Sequence, residues 1–282
     1  MNILAGEYVK YLFFLSLVLG VAVAADTASA STPIYQIQWQ ADGIISELDI
    51  NGITVDKSSS EFSGTGSAPL NIWLKPGKNV VTIRLKSFPK SDSGSFKVFL
   101  ARAQQGQYAD QGEKVFEFSW EKGKSKDKLP LEKKFEFTPQ SVPALELWTK
   151  TEQITLDAGT DKAIRSFLTT LSDAYTKADA DKVAELQEFK VIEITRALGG
   201  KEMSISEMKK ETKGYFSMLK SEKAKFTPID TAGAKLQLVA ENRLVLVTAK
   251  DGTPPLIAKS PSGEYVVDIY LARINGKWVV AR

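Results

Sequence analysis

Between Glu121 and Lys134 the chain reads EKGKSKDKLPLEKK, which gathers Lys122, Lys124, Lys126, Lys128, Lys133 and Lys134 between two aromatic segments. Ammonium groups clustered on one protruding loop can grip an acidic protein surface, a polyanion or an anionic lipid head group. Lys122, Lys124, Lys126 and Lys128 are therefore the interaction-loop candidates. The alternative is a solvated hairpin tip whose charge is diluted by Glu121, Asp127 and Glu132. A second set, Trp39, Trp73 and Trp120, offers ring faces for stacking against sugars, although aromatics that alternate along strands more often pack into a core.

Two absences restrict the chemistry further. The 282 residues contain no cysteine and no histidine. A thiolate nucleophile, a disulfide, a Cys/His zinc site and a Ser-His-Asp triad are all excluded. Catalysis would rest on carboxylates, Tyr, Lys or Ser, and neither a cofactor nor a metal is implied. The 37 basic residues are interspersed with 34 acidic ones, so the chain lacks the one-sided basic stripe that a nucleic-acid partner requires. At 43% hydrophobic residues there is enough apolar material for packed cores, and the length predicts one or two domains.

The segment Tyr11 to Ala25, YLFFLSLVLGVAVAA, is uncharged, follows Lys10, and falls short of the ~20 residues that span a bilayer. Small residues two apart recur at Ala22 and Ala24 and at Ala28 and Ala30. Residues 1–30 thus read as a signal peptide, cleaved after Ala24 or Ala30, which leaves a mature chain without a membrane span in the periplasm or outside the cell. Glu7 makes the leading segment less positive than usual, and an uncleaved anchor is the alternative. The lack of cysteine rules out a lipid-modified N-terminal Cys.

The elements that would carry the lysine loop are strands. From Ile34 to Trp148, short alternating runs are separated by turn residues with no helical period. Tyr35, Ile37 and Trp39 share one face. Asn51-Gly52 sits between Leu48-Asp49-Ile50 and Ile53-Thr54-Val55 as a hairpin turn. Ile72 and Leu74 precede a Pro76-Gly77 turn, after which Val81, Ile83 and Leu85 alternate with Thr82 and Arg84. FKVFLA, VFEFSW and KFEFT supply further strands, the last two with Phe116, Phe118 and Trp120, and Phe135 and Phe137, two apart. The pattern predicts an all-β sandwich over residues 31–148. LKPGKN and the β-branched alternation after it resemble hairpins of jelly-roll or immunoglobulin-like sandwiches in exported proteins, a likeness confined to Leu70–Leu85.

A linker over 149–157 leads to a change of period. From Asp161 to Leu186 apolar residues recur at Ile164, Phe167, Leu168, Leu171 and Tyr175, one face of a helix. A second helical stretch runs from Phe189 to Leu198 and stops at Gly199-Gly200. A third covers Ser204 to Ser221, opening on the capping-box spacing of Ser204 and Glu207. Strands follow at Lys225–Ile229, Ala234–Ala240, Arg243–Ala249, Glu264–Ile274 and Lys277–Ala281, with Asn275-Gly276 as the last turn. Helices first and antiparallel strands after predict an α+β domain over 158–282.

AIRSFLTTLSDAYTKADADKVAEL, with its Lys177–Asp181 break in the helical pair, and the closing YVVDIYLARINGKWVVAR resemble the NTF2-like superfamily, which includes ketosteroid isomerases and polyketide cyclases. The resemblance implies a cone in which a curved sheet wraps the helices, and pairing through sheets that leaves a homodimer open. In the isomerase branch a Tyr eight residues before the first acid of the break donates to the oxyanion. That position is Leu171 here, and after the break the chain continues into more helix where those enzymes have a short acidic loop. The resemblance therefore does not bring the isomerase apparatus with it. It does imply a pocket at the mouth of the cone, with Tyr215, Asp268, Tyr270 and Arg273 as the lining candidates. Asp268 would alternate with Tyr270 on one side of its strand, opposite Val267 and Ile269, and a carboxylate aimed into an apolar pocket acts as a base when its pKa is raised. The alternative is that Asp268 faces solvent or pairs with Arg273.

Three functions fit these features. The first is an exported, non-catalytic binding protein that engages a protein partner in the cell envelope, for example as an immunity or accessory protein. The second is a small-molecule carrier or enzyme using the NTF2-like pocket. The third is a glycan- or cell-wall-binding module using the sandwich. The missing residue classes and the unfilled acid and base positions favour the first.

Overall fold

A computed structural model describes residues 32–58, 63–87 and 94–282, so the expected signal peptide lies outside the described residues. The protein is mostly β, with four antiparallel sheets and a few helices, and divides into two compact units that meet in sequence between Leu145 and Glu146. No helix among the described residues is long and apolar enough to cross a membrane.

The N-terminal unit contains β1 (Ile34–Asp42), β2 (Ile44–Ile50), β3 (Ile53–Ser58), β4 (Gly64–Pro69), β5 (Asn79–Ser87), β6 (Ser95–Ala103), β7 (Glu113–Glu121) and β8 (Leu131–Phe137). They form two four-stranded sheets, ordered β4-β1-β6-β7 and β3-β2-β5-β8. Period-two alternation decides which face is buried. On β1, Tyr35, Ile37 and Ala41 are buried; on β2, Ile44, Leu48 and Ile50; on β5, Val81, Ile83 and Leu85. The Phe116 and Phe135 rings stack at 4.6 Å, Phe118 lies 5.8 Å from Phe135, and Tyr35 lies 5.9 Å from Phe137. Each of these contacts joins one sheet to the other, so the two apolar faces close on a common core. Trp73 and Trp120 are also buried.

The Asn51-Gly52 turn forms as expected, with both residues at positive φ (52° and 79°), the backbone that a two-residue hairpin with the strand's own twist requires. Two local expectations differ. Ile72 and Leu74 do not lie on a strand: Asn71–Trp73 is a 3-10 turn, held by the buried Asn71 side chain, which accepts from Tyr35 N–H at 2.7 Å and donates to Pro33 O at 2.9 Å. Strand β4, GTGSAP, has no apolar alternation to announce it. It is a strand because its backbone pairs with β1 and because Gly66 leaves room for the Trp39 ring, which a Cβ there would meet at 2.2 Å.

The C-terminal unit begins with α1 (Glu146–Thr149), α2 (Ala158–Thr176), α3 (Ala180–Ala197) and α4 (Ile205–Ser221). Its strands are β9 (Lys225–Phe226), β10 (Lys235–Val239), β11 (Leu244–Thr248), β12 (Leu256–Ser260), β13 (Gly263–Val267), β14 (Ile269–Ile274) and β15 (Lys277–Val280), in sheets ordered β10-β11-β14-β15 and β13-β12-β9. The α2 stripe Ile164, Leu168, Leu171 and Tyr175 is buried against Val245, Val247, Val267, Ile269 and Leu271 from the strands. Each such side chain contributes about 1.5–3 kcal/mol by leaving water.

The helical pattern from Asp161 to Leu186 divides in two. Ala178 turns left-handed (φ 53°), and Asp179 caps the next helix by accepting from Lys182 N–H at 3.0 Å. The two helical segments expected on either side of residue 187 are one helix, α3. The Ser204–Glu207 capping box forms, with Glu207 accepting from Ser204 N–H at 2.7 Å. The long strand expected from Glu264 to Ile274 breaks at Asp268, where the chain leaves one sheet for the other. Residues of the segment read as a linker are anchored to this unit: Glu152 N–H donates to Arg273 O and Ile154 N–H to Asn242 O, both at 2.8 Å, and Ile154 is buried in the core.

Candidate functional site

Two places concentrate unusual chemistry, one in each unit. In the N-terminal unit it is the loop from β7 to β8. Trp120 ends β7 buried, and its indole Nε1 donates to the Asp127 carbonyl at 2.9 Å. Glu121 N–H donates to Ser125 Oγ at 2.8 Å, Ser125 N–H returns to Glu121 O at 2.9 Å, and Lys122 N–H donates to Gly94 O at 2.9 Å. The loop backbone is thus pinned at its start, at its middle and against Gly94, the residue before β6.

The acids that dilute the loop are each matched by a lysine: Lys124 to Glu121 at 2.8 Å, Lys133 to Asp127 at 3.0 Å and Lys134 to Glu132 at 3.1 Å. Glu132 also takes Arg84 at 2.9 Å, and both bases hold its carboxyl below the usual carboxylate range. Lys122, Lys126 and Lys128 are exposed. The loop therefore presents an excess of positive charge on an ordered backbone. Lys122 and Lys128 border a cleft of about 290 Å³ whose base includes Ile44, Trp120 and Leu129.

In the C-terminal unit, α3 carries charge inward. Gln187, Lys190 and Glu193 are all buried. The Glu193 carboxylate accepts from the N–H groups of Glu146 and Leu147 at 3.1 and 3.0 Å and from Arg196 at 3.1 Å, and it faces the buried Arg282 at 3.9 Å. Burial brings the Arg282 guanidinium down to about 10, against the pull of Glu193. Burial likewise brings the Lys190 ammonium down to about 8, with Asp268 opposing the shift and Arg282 adding to it. Gln187 donates to the hydroxyl of Tyr175, which burial pushes well above its ordinary range.

Asp268 lies at the break between β13 and β14. It is exposed to water, yet lost hydration raises its carboxyl, with Lys190 opposing. Tyr215, on α4, is buried with Leu219, Ala258 and Tyr265, and burial followed by the Tyr265 neighbour pushes its hydroxyl up. Tyr265 itself donates to Glu222, and burial with that carboxylate raises it to about 12. Tyr270 is buried on β14, where its N–H donates to Arg282 O at 3.1 Å and its carbonyl accepts from Ala281 N–H at 2.7 Å. Arg273 pairs with Glu152 at 2.7 Å and lies over the Trp278 ring at 5.9 Å, so its described ion pair is with Glu152 rather than Asp268.

The four residues proposed to line a pocket thus engage separate neighbours. Lys190, Glu193 and Arg282 went unread in the sequence, although a signal existed. Val183, Gln187, Lys190, Ile194 and Ala197 continue one stripe at spacings of four, three, four and three, and all five are buried. A lysine in such a stripe is a buried charge. Splitting α3 near residue 187 hid the repeat.

Among the described residues, no group of three or more His, Cys, Asp or Glu side chains is placed to hold a metal ion. Comparisons with protein families, curated proteins and solved structures find no match for this chain.

Proposed function

We propose that this chain is an exported, non-catalytic binding protein of the cell envelope, of immunity or accessory type, which engages an acidic surface of a partner protein through the β7–β8 loop. The observation that carries the reading is the ordering of the loop. A solvated hairpin tip needs no internal bonds, whereas this one uses the Trp120 indole, the Ser125 hydroxyl and the Gly94 carbonyl to fix the backbone beneath its exposed lysines. Ordering a loop in advance removes an entropic cost from binding, and a cationic patch speeds encounter with an acidic partner. The apolar run near the N-terminus supports export, and the helices-then-strands order of the C-terminal unit supports the NTF2-like reading of residues 158–282.

Capture from the native envelope fraction, with the tagged mature chain and its Lys122→Glu/Lys126→Glu/Lys128→Glu variant side by side, tests the proposal. A stoichiometric partner that the variant loses, and that salt weakens for the wild type, is the expected outcome. Equal retention by both chains refutes the role of the loop.

A second reading is favoured by one observation in the C-terminal unit, the exposed Asp268 coupled to the buried Lys190: a small polar ligand held there. A thermal shift produced by a small-molecule library that Asp268→Asn abolishes would favour it over the first.

A further inference from the structure

The cleft beside the β7–β8 loop is built differently from the loop surface, and we infer that it is a binding site for a small organic acid with an apolar body, a function beyond partner recognition by the exposed lysines. Its base is apolar: Ile44 is 1% exposed, Trp120 6%, and Leu129 is half-buried beside them. The indole has already spent its one donor on the Asp127 carbonyl, so it asks nothing polar of an occupant. Part of the wall is backbone, from Gly43, Gly94 and Gly123. Gly94 passes against the indole closely enough that a Cβ there would lie 3.5 Å from Trp120 Cζ3 and 3.3 Å from Gly43 O.

The rim is cationic. Lys122 and Lys128 line it and are exposed, while the carboxylate that also lines it, Asp127, is engaged by Lys133 at 3.0 Å. Ser87 and Ser125 add hydroxyl oxygens. At about 290 Å³ the cleft falls just below the usual size of small-molecule sites, roughly 300–1,000 Å³, and suits a small ligand. A body the size of one aromatic ring can sit in the cleft against Leu129 and the exposed edge of the indole, and a carboxylate attached to it can reach the ammonium groups at the rim. A neutral analogue gains the first contact and not the second.

The Trp120 indole N–H reports on occupancy because it donates into the cleft wall. Titration of the purified full chain with phenylacetate and with its neutral amide, 2-phenylacetamide, is followed by the indole resonances in a ¹⁵N–¹H spectrum, with Trp120→Phe identifying the signal. The Trp120 resonance is expected to move saturably with phenylacetate, and the amide to bind roughly fivefold more weakly or worse. Lys122→Gln/Lys128→Gln is expected to bring the acid down to the affinity of the amide and leave the amide unchanged. No saturable movement with phenylacetate, or equal affinity for acid and amide in the wild type, overturns the inference. No partner protein is present in the measurement, so its result and that of the capture experiment stand or fall separately.

Discussion

The two units treat charge in opposite ways. In the N-terminal unit the described ion pairs face water except at one carboxylate: the part-exposed Arg84 on β5 gathers Glu47, Glu132 and the buried Asp49, and the β7–β8 loop holds its lysines in water. The C-terminal unit buries Lys190 and Glu193 on one helix and Arg282 just past the final strand. Exposed charges are cheap to hold and available to a partner. Buried ones carry a desolvation cost that only specific neighbours offset, and they make stability depend on pH. Recognition is accordingly expected from the first unit and pH dependence from the second.

The largest effect should follow from removing Glu193. Glu193→Ala strips Arg282 of its buried counter-charge and leaves the N–H groups of Glu146 and Leu147 without their acceptor, which should cost about 3–5 kcal/mol in urea unfolding. A loss below about 1 kcal/mol would mean that water reaches the interior pair and that the contrast between the units is one of appearance.

Lys190 sharpens the comparison through pH. A basic group whose folded pKa is lowered, here from 10.5 to about 8, binds fewer protons when folded, so stability should rise with pH between about 8 and 10.5. Below that window its burial opposes folding by about 3 kcal/mol, at 1.36 kcal/mol per unit. Asp268 has the opposite sign: its raised carboxyl makes stability greatest while protonated and lower as pH rises through the folded pKa. Lys190→Met should therefore stabilise the protein at pH 7 and lose most of that advantage by pH 10, where the unfolded lysine is close to losing its proton as well. Equal gains at both pH values would show that the variant acts through packing alone.

The smallest expected effect lies in the N-terminal unit. Lys126→Glu/Lys128→Glu should change the free energy of unfolding by no more than about 0.5 kcal/mol, since exposed lysines on a pinned backbone contribute little to folding. A larger loss would give the loop a structural part and weaken the case for recognition.

Local sequence carried much of the architecture. Asn51-Gly52 and Asn275-Gly276 specify hairpins because few other pairs accept two successive positive φ angles (52° and 79°, 50° and 76°). The Ser204–Glu207 box specifies a helix start, and the stripe from Ile164 to Tyr175 specifies its buried face. The lysine loop was legible as a cluster of like charge. Strand β4 was not legible, because Gly, Thr, Ser and Ala become a strand only through pairing with β1 and through the Trp39 ring laid over Gly66.

By itself the sequence determined the secondary structure wherever the cause is local: turn stereochemistry, caps, and the period of apolar side chains, all of which act within a few residues. It also determined the chemistry that is absent, since no fold supplies a thiol or an imidazole. Only the tertiary structure decided that Lys190 lies buried near Asp268, nearly eighty positions away. It also decided that Trp120 forms the base of a cleft rimmed by Lys122 and Lys128. The reason is physical: desolvation and the field of a distant charge depend on what surrounds a group in space, and that neighbourhood is assembled from segments that no local pattern connects.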